Sequence, residues 1–94
     1  MLTTSTGRTL YTFANDTEDT SACDAACAAV WPPYIIEGTP YAGPGIPGEL
    51  GTIDVEQGQQ LTYNRKPLYL YANDTAAGQT NGQGIDPAWS VATP

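Results

Sequence analysis

Apolar and polar positions alternate with a period of two in two segments of this chain. In the first, Leu10 and Thr12 are on one face of a predicted strand, and Tyr11 and Phe13 are on the other. The segment 68–71 repeats the alternation, with Leu at 68 and 70 and Tyr at 69 and 71. Both segments end in Asn-Asp-Thr, whose short polar side chains bond the local backbone and favour a turn. The pattern therefore predicts two strands, each followed by a turn.

Two hairpins are predicted in front of these strands. Residues 61–63 and 66–68 have strand character and are separated by Asn64 and Arg65, a spacing that favours a tight turn. Arg65 suits a turn poorly if the backbone there has positive φ, so the turn type stays open. Residues 4–9 have the same pattern with a shorter first strand.

An internal duplication organises the chain. Residues 10–17 align with residues 68–75 at an offset of 58, six of the eight positions are identical, and the same offset places Trp31 on Trp89. We expect repeat 1 over about 1–37, a Gly/Pro-rich linker over about 38–51 and repeat 2 over about 52–94. Repeats of this size rarely bury their apolar face alone, so residues 1–94 are predicted to form a single domain.

The copies diverge after the shared motif. The first continues with an Ala-rich segment that has Thr and Ser before it and Pro32 after it, which predicts a short α-helix over about 21–30. The second has the Gly-rich segment 78–84, which predicts a loop leading into a strand at 88–91. The expected fold is mainly β: a small single domain of two pseudo-symmetric β-hairpin or sheet repeats with one short helix.

Charge and length exclude several classes of protein. The 94 residues include 3 basic and 10 acidic side chains, a net charge of −7, which argues against nucleic acid and anionic membrane surfaces as partners. No apolar segment is long enough to span a membrane, and the first residues do not resemble a signal peptide. If the protein is exported, we expect its signal or anchor segment to be missing from this sequence.

The chemistry-bearing residues are few. The chain has no histidine, and its cysteines are Cys23 and Cys27 alone, which excludes a four-ligand zinc site. A structural disulfide between Cys23 and Cys27 is expected, and two buried thiols or a redox role are the alternatives. No nucleophile has a histidine to act as its base, so we expect no catalytic residues and no enzyme activity.

The motif residues have two competing interpretations. The acids Asp16 and Asp74 are expected to cap a turn or to accept a hydrogen bond from a buried Tyr or Trp of their own repeat. The alternative is a calcium-like divalent-cation site, because acidic loop residues offer oxygen ligands. The residues proposed for such a site are Asp16, Asp19 and Asp74. The aromatic residues Tyr11, Phe13, Tyr69, Tyr71, Trp31 and Trp89 are expected to supply the core.

The motif Tyr-x-[Phe/Trp/Tyr]-x-x-Asp occurs at 11–16 and again at 69–74. Together with the segments 21–33, 63–69 and 80–84, it resembles the secreted-repeat family of bacterial and archaeal lipoproteins over nearly the whole chain. The resemblance implies export, often with an N-terminal lipid anchor, and implies no chemistry. We therefore expect a non-enzymatic extracellular or cell-surface module for binding or structure, with an extracellular protein or glycan as partner. The alternative is a divalent-metal-binding accessory protein that uses the acidic loop residues and needs no other cofactor.

Overall fold

The computed structural model describes residues 2–4, 6–37, 46–85 and 88–93. Its fold is mainly β with one short helix, which confirms the predicted fold class. In the described part of the chain, no helix has the length and apolar character needed to cross a membrane. The elements in chain order are β1 (Tyr11–Phe13), α1 (Ala25–Val30), β2 (Ile35–Ile36), β3 (Leu50–Val55), β4 (Gly58–Tyr63), β5 (Lys66–Pro67) and β6 (Trp89–Val91).

The strands form two antiparallel sheets. Strands β1 and β6 form the smaller one, with Thr12 opposite Ser90. In the larger sheet, β4 pairs with β3 along one edge and with β2 and β5 along the other. An isolated bridge between Tyr11 and Tyr69 connects the two sheets. The two copies of the motif therefore meet where the sheets join.

The hairpin predicted at Asn64 and Arg65 is present as β4 and β5. Both turn residues have positive φ, 49° for Asn64 and 66° for Arg65, which defines a type I′ turn. Asparagine tolerates this conformation well, whereas arginine is strained there. The type I′ geometry matches the twist of the flanking strands, and this match offsets the poor fit of Arg65. The shorter hairpin predicted over 4–9 is represented by a bridge between Thr3 and Thr9.

Helix α1 is shorter than predicted. It begins at Ala25, not near Ser21, because Asp24 is its N-cap and accepts a hydrogen bond from the Cys27 backbone N–H at 2.9 Å. An aspartate in this position satisfies a helix N–H that would otherwise lack a partner, so the chain before it is free to extend. The helix ends at Val30, as predicted, before Trp31 and the two prolines.

Strand β3 was not predicted, and it overlaps the end of the predicted linker. The linker was expected to continue to residue 51, but β3 begins at Leu50 and pairs with β4 over its full length. Its side chains alternate between half-buried and exposed from residue 51 onward. The first part of the predicted linker, residues 38–45, lies outside the described residues.

The second motif strand is less regular than predicted. Strand β5 ends at Pro67, and beyond it Tyr69 forms isolated bridges to Tyr11 and Pro33. Leu70 donates its backbone N–H to the Pro32 carbonyl at 2.8 Å. Proline has no backbone N–H, so Pro32 cannot donate the reciprocal hydrogen bond to Leu70, and the regular ladder is interrupted here. The first motif strand instead pairs with Ser90, the residue of the second repeat that is equivalent to Pro32, and regular strand pairing forms there.

The core consists of two clusters, where a single aromatic core was expected. The first is largely aliphatic and forms around Leu10, Leu61 and Leu68. The second is aromatic and is built around Tyr11, Trp31, Tyr69 and Trp89, with the cysteines packed against it. The aromatic faces of the repeats do meet, but the leucine faces of the same strands form the separate aliphatic cluster. Successive side chains of a strand point to opposite faces, which explains this division.

Candidate functional site

The two motif copies pair with each other through their first tyrosines. The backbone N–H of Tyr11 donates to the Tyr69 carbonyl at 2.8 Å, and the N–H of Tyr69 donates to the Tyr11 carbonyl at 2.9 Å. Reciprocal bonds of this kind form between antiparallel strands, and here they relate one repeat to the other by a pseudo-twofold axis. Each half of the domain therefore contributes the same residues to one junction.

The side chains of the motif are exchanged across this junction. The hydroxyl of Tyr11 donates to Asp74 Oδ2 at 2.6 Å, and the hydroxyl of Tyr69 donates to Asp16 Oδ2 at 2.7 Å. From the sequence, each aspartate is expected to cap a turn or to accept a bond from a tyrosine or tryptophan of its own repeat, and the second of these alternatives is wrong. Every tyrosine–aspartate bond instead joins the two repeats. We call Tyr11–Asp74 and Tyr69–Asp16 the crossed pairs.

The second carboxylate oxygen of each aspartate holds the loop that follows it. Asp16 Oδ1 accepts the backbone N–H of Ala22 at 2.6 Å, and Asp74 Oδ1 accepts the N–H of Asn81 at 3.0 Å. Each aspartate also closes a turn of the same kind in its own repeat, because it donates its backbone N–H to the carbonyl of the residue three positions earlier, at 3.0 Å. The aspartates thus bridge the opposite tyrosine and their own loop.

Four aromatic rings form a stacked column between the repeats. The rings of Trp31 and Trp89 lie parallel at its centre, with centroids 3.8 Å apart and an interplanar angle of 1°. Phe13 stacks on Trp89 and Tyr71 stacks on Trp31, each at 4.3 Å. Each outer ring therefore stacks on the tryptophan of the other repeat. Aromatic stacking in such a cluster adds to the stabilisation from burial alone.

The motif tyrosines pack against the side of this column. Tyr11 meets Trp31 edge-on and Tyr69 meets Trp89 edge-on, both with centroids 5.2 Å apart. The exposed fractions are 0% for Tyr11 and 1% for Tyr69. The hydroxyl is the one polar group of each tyrosine side chain, and a buried hydroxyl needs a hydrogen-bond partner. The crossed pairs provide that partner.

The surroundings of the two hydroxyls differ. The Tyr69 oxygen lies 2.5 Å from Ser21 Oγ, whereas the Tyr11 oxygen accepts the backbone N–H of Gly82 at 3.1 Å. A Cβ atom on Gly82 would lie 2.5 Å from Cη2 of Trp31, so only glycine fits at this distance from the ring. One repeat therefore supports its tyrosine partner with a side chain, and the other does so with the backbone.

Burial changes the acidity of three of these groups. Burial and the hydrogen bond to Asp74 together raise the pKa of Tyr11 to about 12, against the opposing effect of the hydrogen bond from the Gly82 amide. Burial also raises the pKa of Tyr69, while the hydrogen bond from Ser21 opposes the change. The pKa of Asp16 is raised by burial, against the hydrogen bonds from the Ala22 amide and the Tyr69 hydroxyl. Both tyrosines are therefore neutral donors at physiological pH.

A disulfide joins Cys23 to Cys27, with Cα atoms 5.2 Å apart. Cys27 is in helix α1, while Cys23 precedes the N-cap, so the bond links the helix to the extended segment before it. Both cysteines pack against the aromatic cluster. The disulfide therefore links the start of helix α1 to the aromatic cluster, and a free thiol is not found among the described residues.

The residues predicted for a cation site are not assembled into one. Asp16 and Asp74 are each committed to a crossed pair and a loop amide. Asp19 lies on an exposed turn with φ of 55°, and its backbone N–H donates to Arg65. Within the described ranges, no group of three or more Cys, Asp or Glu residues is placed to hold a metal ion.

The fold and the crossed pairs define a two-repeat, β-rich domain whose halves complete each other. A profile described as a secreted repeat of unknown function matches residues 1–34 and 51–93, which is most of the chain. The chain therefore belongs to this family of secreted repeats, in agreement with the resemblance found in the sequence. No curated protein and no solved structure matches the chain.

Proposed function

We propose that this domain is a non-enzymatic module that acts outside the cell as a binding or structural unit. The observation that carries the proposal is the use of the motif residues inside the fold. The tyrosines and aspartates of the motif bond to each other and to the neighbouring loops. A motif whose polar atoms are consumed in this way specifies a structure, so function is expected on surfaces that differ between members.

The burial of the motif also supports a structural role. A general acid or base must come within hydrogen-bonding distance of a substrate atom. Tyr11 is fully buried and Asp74 is 4% exposed, so a substrate cannot reach this pair without unfolding the junction. The sequence offers no histidine to activate a hydroxyl nucleophile elsewhere.

The family supports the extracellular part of the proposal, because its members are described as secreted. The resemblance to lipoproteins supports attachment to the cell surface through an N-terminal lipid. An extracellular protein or glycan is the partner that we propose. The net charge of −7 disfavours nucleic acid, whose phosphates would be repelled.

Thermal unfolding of the oxidised protein, in chelator and in calcium, tests this proposal. The proteins to compare are the parent chain, Asp16→Asn, Asp74→Asn and a control, Glu49→Gln, which removes one exposed carboxylate outside the motif. We expect each aspartate variant to be destabilised by the same amount in calcium as in chelator, because it loses a bond within the fold. The control is expected to melt like the parent.

A cation site would give a different result. At a calcium concentration of about 100 times its Kd, a specific site would stabilise the parent by about 2.7 kcal/mol. A saturable rise in Tm that is lost in Asp16→Asn or Asp74→Asn would replace our proposal with the divalent-metal-binding alternative. Hydrolysis of ester, glycoside or peptide substrates that is lost in the same variants would contradict the non-enzymatic assignment.

A further inference from the structure

A pocket of about 380 Å³ lies at the margin of the aliphatic cluster, where strands β1, β5 and β6 come together. Tyr63 and Ala92 of that cluster line it, together with polar residues from the three strands and the segments next to them. The polar residues are Thr12, Asn64, Lys66, Ser90 and Thr93. We call this site the Lys66 pocket.

The strand register places the side chains of Thr12 and Ser90 on the face of the pocket. The two residues are opposite each other in the β1–β6 ladder. The ladder continues to Leu10 and Ala92, since the Ala92 N–H donates to the Leu10 carbonyl at 2.8 Å. Both of these residues are buried in the aliphatic cluster. Residues two apart in a strand point to the same face, so Thr12 and Ser90 extend this apolar face with two hydroxyls.

Lys66 lies on the same face. It is the partner of Tyr63 in the β4–β5 ladder, and the side chains of directly opposite residues stand side by side. Tyr63 is part of the aliphatic cluster and lines the pocket, whereas Lys66 is exposed. The lysine stem therefore leaves the sheet on the side where Thr12 and Ser90 are found.

The fold does not use these polar groups. The side chains of Thr12, Lys66 and Ser90 form no hydrogen bond or ion pair with any residue that the structure describes. Asn64 Oδ1 accepts the Glu49 backbone N–H at 2.9 Å, which leaves the NH₂ group of that amide to donate elsewhere. Asn64, Lys66 and Ser90 are exposed and Thr12 is half-buried, so a ligand can reach all four.

The pocket carries a positive charge in a chain whose net charge is −7. No aspartate or glutamate is among the described residues that line it. The other two basic residues are engaged in the fold, because Arg8 donates to the Asp74 carbonyl and Arg65 pairs with Glu18. Lys66 is thus the basic side chain that is available to an anion from outside.

The acids nearest to this lysine already have donors. Lys66 also borders a second pocket, whose lining includes Asp16 and Glu18. Asp16 accepts one hydrogen bond at each carboxylate oxygen, and Glu18 pairs with Arg65. Neither carboxylate forms an ion pair with Lys66.

These groups favour a ligand with one negative charge and several acceptors. A uronic acid is a sugar that carries a carboxylate, so it offers both the charge for Lys66 and ring hydroxyls for the hydroxyls and the amide. A neutral sugar would leave the ammonium without a partner. Phosphate carries more charge and is usually held by arginine forks or by the N–H groups of a helix N-terminus, neither of which lines this pocket.

We propose that the Lys66 pocket binds an acidic glycan through a uronic acid unit. The carboxylate accepts from the Lys66 ammonium, and the ring hydroxyls bond to Thr12, Asn64 and Ser90. The inference deepens the proposed binding function and rests on it, because it selects a glycan, and not a protein, as the partner.

The test is an NMR titration of the oxidised, isotope-labelled protein with methyl β-D-glucuronide. We expect saturable shifts of the Thr12, Lys66 and Ser90 backbone amides and of the Asn64 side-chain NH₂, with a Kd of about 1 mM for so small a ligand. Methyl β-D-glucoside has the same ring without the charge, and acetate has the charge without the ring. Each is expected to bind at least about fivefold more weakly, because it lacks one of the two recognised features.

Three variants locate the site. Lys66→Gln is expected to weaken glucuronide binding about fivefold and to leave the Kd of the glucoside unchanged, because it removes only the partner of the carboxylate. Arg65→Gln removes the same charge at the neighbouring residue, outside the pocket, and is expected to leave both Kd values unchanged. Ser90→Ala is expected to weaken both ligands about threefold, since it removes a bond to the ring. All three residues are exposed, so the variants are expected to fold.

The outcomes separate the sources of the carboxylate. Loss of the preference for glucuronide over glucoside in Lys66→Gln, with the preference kept in Arg65→Gln, supports the proposal. No saturable shift with glucuronide, or equal binding of the glucoside, overturns it. Acetate that binds as tightly as glucuronide also overturns it, in favour of a site for any carboxylate. These results would leave the proposed function standing, since that function fails only through dependence on calcium or catalysis at the motif.

Discussion

The two halves of this domain carry the same motif but support it with different backbones. In the first half, the disulfide and the short helix α1 pack beside the aromatic column, and Ser21 bonds to Tyr69. In the second half, an irregular loop brings the backbone of Gly82 to the equivalent tyrosine, Tyr11. The contacts between the halves are nearly identical despite this difference. The motif therefore determines how the repeats join, while the segment that contacts each motif tyrosine differs between the halves.

The central tryptophans are where the two halves are most alike, so their removal has the largest expected effect. Trp31→Ala and Trp89→Ala are each expected to lower the free energy of unfolding by about 3–5 kcal/mol. Because the rings stack on each other, the double variant is expected to lose less than the sum of the two. Chemical denaturation of the three variants measures this. Additive effects would contradict the stacked column as a shared element.

The aspartates differ in burial, so their variants distinguish the halves. Asp74 is buried, whereas Asp16 is half-buried. We expect Asp74→Asn to cost about 1.5–3 kcal/mol, the usual range for a lost hydrogen bond to a charged group, and Asp16→Asn to cost less. Urea unfolding curves give both values. Equal costs would show that the two crossed pairs are energetically the same in spite of their surroundings.

The disulfide is present in the first half alone, and its loss shows how much that support contributes. Replacing Cys23 and Cys27 by serine is expected to lower stability by about 2 kcal/mol, because so short a loop constrains the unfolded chain only modestly. Thermal unfolding of this variant, beside the reduced and oxidised parent, provides the measurement. Loss of all cooperative unfolding would mean that the disulfide, and not the shared motif, holds the domain together.

The tyrosines give stability a dependence on alkaline pH. A raised folded-state pKa means that stability is fully present below the ordinary tyrosine pKa of about 10 and is lost as pH rises through the folded value. For Tyr11 the loss falls between pH 10 and about 12. Tyr69 is expected to add to it, since burial raises its pKa as well. Tyr11→Phe is expected to flatten this fall in Tm, and an unchanged slope would contradict the assignment.

The acid side of the profile concerns Asp16. Burial raises its pKa above the ordinary value, so its ionised form is disfavoured in the folded protein. As for the tyrosines, the stability that Asp16 contributes is largest below its unfolded-state pKa. It declines as pH rises through the raised folded-state pKa. Asp16→Asn removes this pH dependence, which helps to explain why we expect a smaller cost from it than from Asp74→Asn.

Much of the fold could be predicted because its signals are local. Alternation at residues 10–13 indicated a strand, and Asn64 indicated the turn of a hairpin. The matching tryptophans indicated the duplication. Strand β3 was missed because Leu50 and Gly51 follow a Gly/Pro-rich segment, although Thr52 and Asp54 alternate with Ile53 and Val55. That alternation was the available signal. The start of α1 was misplaced because Ser21 and Asp24 are both good N-caps.

The site could be predicted only in part, for a physical reason. The sequence identifies Tyr11, Asp16, Tyr69 and Asp74 as a set, but identical motifs make a bond within one repeat and a bond between repeats look the same. The choice depends on how the halves pair in space. Nothing in the sequence marked Gln60 as buried, because its position next to Tyr69 is set by the fold and not by its neighbours in the chain.

The central claim is that the tyrosine–aspartate bonds join the two repeats. Double-mutant cycles with Tyr11→Phe test it directly, one combined with Asp74→Asn and the other with Asp16→Asn. We predict a coupling energy of about 1–3 kcal/mol for Tyr11 with Asp74, which are bonded across the junction, and about zero for Tyr11 with Asp16 of its own repeat. Coupling of Tyr11 to Asp16, with none to Asp74, would contradict the account.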